Sequence, residues 1–161
     1  MSSPPRTGIG FDTHRLEAGR RLVLGGVEIE ESGVGLAGHS DADVLTHAVI
    51  DALLGAAGLG DIGQHFPDTD ERWRDADSIE LLRTVGEQLG DAGYRPANID
   101  ATVACETPQL SPFRDEMRTR LADALGMDAA DVNVKFTTGE GMGFVGRGEG
   151  IAALAIATVS G

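Results

Sequence analysis

The sequence predicts one α+β domain in which a mixed sheet of the four-stranded type carries its helices on one face. Three observations lead there. The chain has 161 residues, the size of a single domain with room for a two-layer core. Apolar segments of strand period alternate irregularly with segments of helix period. The strands are only half apolar, so helices cover one face and the other must be buried by something else, most simply by further copies of the chain. Hydrophobic residues make up 41% of the sequence and aromatics only 4%. The core is therefore expected to be aliphatic.

Read in order, residues 1–5 are a short frayed start and Thr7–Phe11 is a strand. Leu22–Ile29 is a strand made irregular by Gly25-Gly26, and residues 30–39 are a Gly-rich loop. Asp41–Leu59 is the clearest helix: Val44, Leu45, Ala48, Val49, Ala52, Leu53 and Ala56 share one stripe. Ser40 is placed to cap it, with Asp41 and Asp43 in a first turn that favours acids, and Gly58 and Gly60 end it. Residues 61–77 form an acidic loop containing Pro67. Ser78 caps a second helix to about Leu89, Ile99–Cys105 is a strand, and Ser111–Leu125 is a third helix. Val132–Phe136 and Ile151–Val159 are strands joined by the Gly-rich stretch TTGEGMGFVGRGEG.

The formal charge of −13, with Lys135 the only lysine, argues against a nucleic-acid partner, since such binding runs on Lys and Arg displacing counterions. A chain this acidic that handles phosphates has to neutralise them locally, by metal ions, helix N-termini or backbone N–H groups. The lone Cys105 excludes an internal disulfide and reads as a small buried residue. No apolar run approaches a membrane span, and MSSPPR lacks a signal-peptide core, so a cytoplasmic location with no membrane partner is expected.

Four segments carry candidate chemistry. In FDTH, Asp12 and His14 lie two apart at a strand end and leave on the same side, which suits a divalent ion of the zinc type. In GHSDADVLTHAVID, His39 and Ser40 stand at a helix N-terminus, where free N–H groups attract phosphate. Asp43, His47 and Asp51 follow at i, i+4 and i+8, nearly in line. Asp12, His14 and His47 together make a three-ligand set with one open position, the catalytic rather than the structural zinc pattern. His47 reads equally as a half-buried histidine of the helix. In GDIGQHFPDTD, Asp61, Gly63 and Asp68 frame a tight loop. In KFTTGEGMGFVGRGEG, Thr137, Thr138 and Glu140 enter a Gly-rich loop able to offer hydroxyls and N–H groups to phosphate and a carboxylate to Mg²⁺. Composition alone favours a plain turn for each of the last two.

Taken together, GIGFDTHRL, LGG, GHSDADVLTHAVIDALLGAAGLGDIGQHFPDTD, DADS, TPQLSP, VNVKFTTGE and GFVGRGEGIA resemble, in order and spacing, the signature segments of the 2-C-methyl-D-erythritol 2,4-cyclodiphosphate synthase family of the non-mevalonate isoprenoid pathway. The resemblance runs from about Arg6 to about Val159, and the whole of residues 1–161 is expected to be that one domain. It implies a homotrimer with sheets facing the three-fold axis and active sites between subunits. It implies a cytidine diphosphate substrate, whose 2-phosphate attacks the β-phosphorus, closes an eight-membered ring and expels CMP. Asp12, His14 and His47 match the zinc ligands, one zinc per subunit, with Asp51 behind them. Glu140 matches the carboxylate for a magnesium or manganese ion on the diphosphate. His39 and Ser40 match residues near the 2-phosphate, and Asp61, Gly63 and Asp68 the erythritol contacts. Thr137 and Thr138 match the nucleotide-phosphate side, with His39 and Thr138 positioning the transition state. Cys105, Glu106, Thr107, Pro108, Gln109 and Leu110 match the cytosine pocket. Phe144 is a further substrate-binding position, and Arg147 and Glu149 match a pair near the axis, beside a cavity for an isoprenoid diphosphate; a salt bridge between subunits is the simpler expectation for that pair.

Four positions depart from the family pattern. Gln109 stands where Lys is usual, Phe113 where His is common, Gly139 in place of a third hydroxyl residue, and Asp75 in place of a Gly before ADS. None is a presumed zinc ligand. Two other functions fit the same residues. A zinc-dependent nucleoside diphosphate hydrolase would use the same Asp/His site on an activated water. A trimeric binding protein would sense isoprenoid phosphates through Arg147 and turn nothing over.

Overall fold

The computed structural model describes residues 3–161. Met1 and Ser2, part of the expected frayed start, lie outside the described residues, and Ser3–Pro5 take no regular structure. Strands β1 (Arg6–Ala18), β4 (Val34–Leu36), β5 (Arg95–Ala104), β6 (Val132–Thr137) and β7 (Gly150–Ser160) form one sheet in the order β4-β1-β7-β5-β6. All neighbours are antiparallel except β5 and β6, so the sheet is mixed as expected. It has five strands rather than four because the three-residue β4, inside the expected Gly-rich loop, pairs with the end of β1. The expected strand at residues 22–29 is instead a small hairpin, β2 (Val23–Leu24) and β3 (Val27–Glu28), turning through Gly25 and Gly26 at φ 57° and 73°. A positive φ at two successive residues forces the chain back on itself there.

Helices α1 (Val44–Ala57), α3 (Ser78–Asp91) and α4 (Arg114–Leu125) pack on one face of the sheet, and α2 (Ile62–His65) and α5 (Gly143–Gly146) are single turns inside expected loops. The helix starts differ from the sequence reading. Asp43, not Ser40, caps α1, its side chain accepting from Thr46 N; Asp77, not Ser78, caps α3 by accepting from Ile79 N. The stretch before Arg114 is a 3₁₀ turn rather than part of α4.

Helix α1 lies between the sheet and α3, and all of it is buried except Asp51 and Gly55. Its closeness to β1 follows from small residues. A Cβ on Gly8 would sit 2.1 Å from Ala52 O, and one on Gly10 1.9 Å from Ala48 O. Strand period then sends Gly8, Gly10, Asp12 and His14 to the helix side, and Ile9, Phe11 and Thr13 to the other. On that outer face Ile9 stands opposite Ile156 and Phe11 opposite Leu154. These four are the exposed large apolar residues of the sheet, Ile9 at 66% and Phe11 at 58%. Further along, the outer face turns polar, where Lys135 and Asn133 both donate to the Asp100 carboxylate.

Candidate active site

Because Gly10 lets α1 approach β1, the next residues along the same side of the strand meet the first turn of the helix. Asp12 Oδ2 lies 2.9 Å from His14 Nε2 and 3.1 Å from His47 Nδ1, and the two ring nitrogens are 3.4 Å apart. One atom from each residue thus reaches a common point. Four bonds of ~2 Å in tetrahedral array set neighbouring ligand atoms about 3.3 Å apart. The three separations bracket that value. One carboxylate oxygen and two imidazole nitrogens are also the donor set that zinc favours, so these residues fit a divalent ion of that type.

Burial pushes the Asp12 carboxyl up, but hydrogen bonds and charge from the His14 and His47 rings in their protonated form outweigh it and hold the group at about 2. Asp12 is therefore an anion at neutral pH, as a metal ligand must be. His14 Nδ1 donates to Ala37 O at 2.9 Å, which in the neutral ring leaves Nε2 as its free lone pair. His47 uses the opposite nitrogen: its Nε2 lies 2.7 Å from Ser78 Oγ and 3.2 Å from Ser40 Oγ.

The cluster forms one end of a cavity of about 550 Å³. His39, Ser40, Gly63 and Asp68 also line it. His39 Nε2 donates to Asp70 O at 3.0 Å. Asp61 does not line it; it caps α2, with its side chain accepting from Gln64 N and Gln64 reaching back in a capping box. The sequence reading missed the apolar wall of Ile62, Phe66, Trp73 and Leu81. Phe66 and Trp73 meet edge to face with centroids 5.0 Å apart. The only Trp of an aromatic-poor chain, seven residues from a Phe in an acidic loop, was the available signal.

Two members of the α1 row have other duties. Asp43 is fully buried and accepts from Gly25 N, Gly26 N, Thr46 N and Thr46 Oγ1, fastening the hairpin to α1. Burial and the nearby Asp41 charge push its carboxyl upward. Asp51 accepts from Ile62 N at 2.8 Å and makes no hydrogen bond to His47.

The other predicted residues gather elsewhere. Cys105, Glu106, Pro108, Gln109 and Leu110 line a second cavity of about 430 Å³ together with Thr137 and Thr138. No residue lines both cavities. Thr107 is exposed beside the second one, and burial pushes the Cys105 thiol up to about 11, so it is no nucleophile. Glu106 accepts from Gly139 N, an unexpected clip between the loops. A Cβ at Gly139 would lie 2.6 Å from Gly146 N, so the turn has no room for the hydroxyl residue of the family pattern. Glu140 is exposed at φ 51°, its N–H donating to Thr138 Oγ1 at 3.2 Å. Phe144 lines a groove with His14 and Glu149. Arg147 pairs with Glu149 of the same chain at 3.0 Å.

Fold and cluster together define an α+β domain with an Asp/His₂ group that could hold a metal ion, opening into a partly apolar cavity. The YgbB family model matches residues 5–160, and the chain belongs to that family. It is 61% identical to the 2-C-methyl-D-erythritol 2,4-cyclodiphosphate synthase of Salinibacter ruber, covering 96% of this chain and 98% of that one. It is 60% identical to the bifunctional enzyme IspD/IspF of Anaeromyxobacter dehalogenans, of which it spans only 40%. Among solved structures, the CDP complex of Plasmodium falciparum IspF superposes with a TM-score of 0.84 at 30% identity, over 96% of this chain and 95% of that one.

Proposed function

We propose that the protein converts 4-diphosphocytidyl-2-C-methyl-D-erythritol 2-phosphate to 2-C-methyl-D-erythritol 2,4-cyclodiphosphate. The observation that carries this reading is the convergence of Asp12, His14 and His47 at metal-ligand spacing on the wall of the larger cavity. The named relatives supply the substrate. A 2-phosphate oxygen bonds to the β-phosphorus while the bond from that phosphorus to the bridging oxygen breaks, and CMP leaves with that oxygen. No water is consumed and no protein nucleophile is required.

Asp12, His14 and His47 would hold zinc and Glu140 would hold magnesium or manganese; when bound, these ions would supply charge neutralisation on the diphosphate. The chain's own groups do the rest. His39 and Ser40 orient the 2-phosphate at the mouth of the cluster. Asp68 and the Gly63 backbone hold the erythritol hydroxyls, and Asp61 keeps the α2 turn in place beneath them. The apolar wall of Phe66 and Trp73 excludes water, which favours ring closure over hydrolysis. Cys105–Leu110 hold the cytosine, and Thr137 and Thr138 the nucleotide phosphate. Gln109 offers a neutral amide where the family has a cation.

The assembly proposed is a homotrimer. Support comes from the paired apolar residues Ile9/Ile156 and Phe11/Leu154 on the open sheet face, which a cyclic arrangement of copies would bury. Each active site then joins the metal end of one copy to the nucleotide cavity of its neighbour, which accounts for two cavities that share no residue. The proposed location is the cytoplasm, a reducing compartment suited to a single free cysteine.

Product analysis decides between cyclase and hydrolase. With zinc and magnesium present, the substrate is expected to yield CMP and a cyclic diphosphate in equal amounts, with no ¹⁸O taken up from labelled water. A linear phosphorylated erythritol carrying ¹⁸O would establish the hydrolase instead, and no turnover would leave the binding protein.

A further inference from the structure

The ring of His47 is held from behind by residues that the mechanism above does not use. Ser78, the first residue of α3, is fully buried, and its Oγ donates to Asp41 Oδ1. The Ser78 backbone N–H donates to Asp41 Oδ2 at 2.9 Å, and Asp43 N donates to Asp41 Oδ1 at 3.1 Å. The hydroxyl proton of Ser78 is thus committed to a carboxylate. What Ser78 Oγ presents to His47 Nε2, at 2.7 Å, is a lone pair. A lone pair demands an N–H opposite it, so in the neutral ring Nε2 carries the proton and Nδ1 is bare. Nδ1 is the nitrogen that faces Asp12 and His14.

We infer that Asp41 and Ser78 are positioning residues, a carboxylate–hydroxyl–imidazole chain that fixes the tautomer and ring angle of His47 for a metal at Asp12, His14 and His47. The inference rests on reading those three residues as a metal site. It assigns to Asp41 and Ser78 the supporting role that the family resemblance gave to Asp51. A carboxylate behind a ligating histidine is a common way of raising ligand basicity; here a serine hydroxyl is interposed. Backbone bonds tie the same segment to the loop before α3, since Asp41 N donates to Ala76 O at 3.1 Å and Asp75 N to His39 O at 2.8 Å. Ser40 Oγ, at 3.2 Å, is the weaker partner of Nε2.

The test measures zinc affinity by chelator competition and, separately, the melting temperature of the zinc-free protein. Ser78→Ala is expected to weaken zinc by ~10–100-fold, the usual cost of losing such a partner. Asp41→Asn removes the charge behind the chain and sets an NH₂ against either the Ser78 N–H or the Ser78 hydroxyl, so one donor loses its acceptor; a loss of the same order is expected, with a changed cobalt(II) absorption spectrum. Ser40→Ala should cost less than either. If Ser78→Ala does not fold, Asp41→Asn, which preserves shape, carries the test. Wild-type affinity in both folded variants, or a loss wholly matched by a drop in zinc-free stability, overturns the inference. A wild-type protein that binds no zinc overturns the metal-site reading and the inference with it.

Discussion

The two ends of the proposed active site are built to different degrees. At the Asp12–His14–His47 end each ligand is half-buried or buried, and each ring has a hydrogen-bond partner on its far side. At the Thr137–Glu140 end the three side chains are exposed, and the one contact between Thr138 and Glu140 side chains spans 3.4 Å. On the proposed reading the first end is finished within one chain and the second is completed by a ligand or a neighbour. The two metals proposed would account for the contrast. Three ligands must be held in register to bind an ion like zinc tightly, whereas a magnesium-type ion keeps waters and phosphate oxygens and needs one carboxylate.

The largest effect should come from wedging β1 away from α1. Gly10→Ala drives a methyl to within 1.9 Å of Ala48 O, a backbone atom that cannot rotate aside. A loss of about 3 kcal/mol or more is expected, or roughly 10 °C in melting temperature, together with weaker zinc binding, because α1 carries His47. Calorimetry and chelator competition on the same sample check both. An unchanged melting temperature and zinc affinity would mean that the two elements are not held as tightly as their spacing requires.

Glu140→Gln probes the open end. It keeps the side chain's shape and removes its charge from an exposed loop, so melting temperature and zinc affinity should not move. Turnover should fall about a hundredfold or more, the scale of losing one preorganised charge contact in a transition state, and the magnesium requirement should rise. A variant that loses zinc as well would show that the two ends are one coupled unit and would break the comparison.

How much of this was legible in the sequence follows the same divide. Period 2 in GIGFDTH and period 3.6 in VLTHAVIDALLGAA carry β1 and α1, and their meeting point is the cluster. Local chemistry also explains Asp75: the position has φ 55°, where glycine is easiest and Asp is among the tolerated residues. What escaped were contacts between distant segments. Nothing local says that Ser78 meets His47, 31 residues away, or that Asp41 rather than Asp51 lies behind it. Phe66 and Trp73 form a wall only because α2 turns the loop inward, and that turn depends on Asp61 and Gln64 capping each other. The start of α1 was misplaced by three residues for a similar reason: Ser40 is drawn to the His47 ring, and the buried Asp43 makes the cap.

The smallest effect concerns the strap joining the two loops beside the cluster. Asp75 holds a left-handed conformation, and its N–H donates to His39 O at 2.8 Å. Its side chain is exposed. Asp75→Gly removes a Cβ that costs ~1–2 kcal/mol in this region. Glycine's larger unfolded-state freedom takes back about 0.5–1 kcal/mol of that. The net should be a gain of about 1 kcal/mol or less, a rise of no more than roughly 3 °C. The backbone hydrogen bond survives in glycine, so zinc affinity and turnover should stay at wild-type values. A marked change in KM with the melting temperature unchanged would mean that the Asp75 carboxylate itself meets the substrate, and the strap would then belong to the unfinished half of the site.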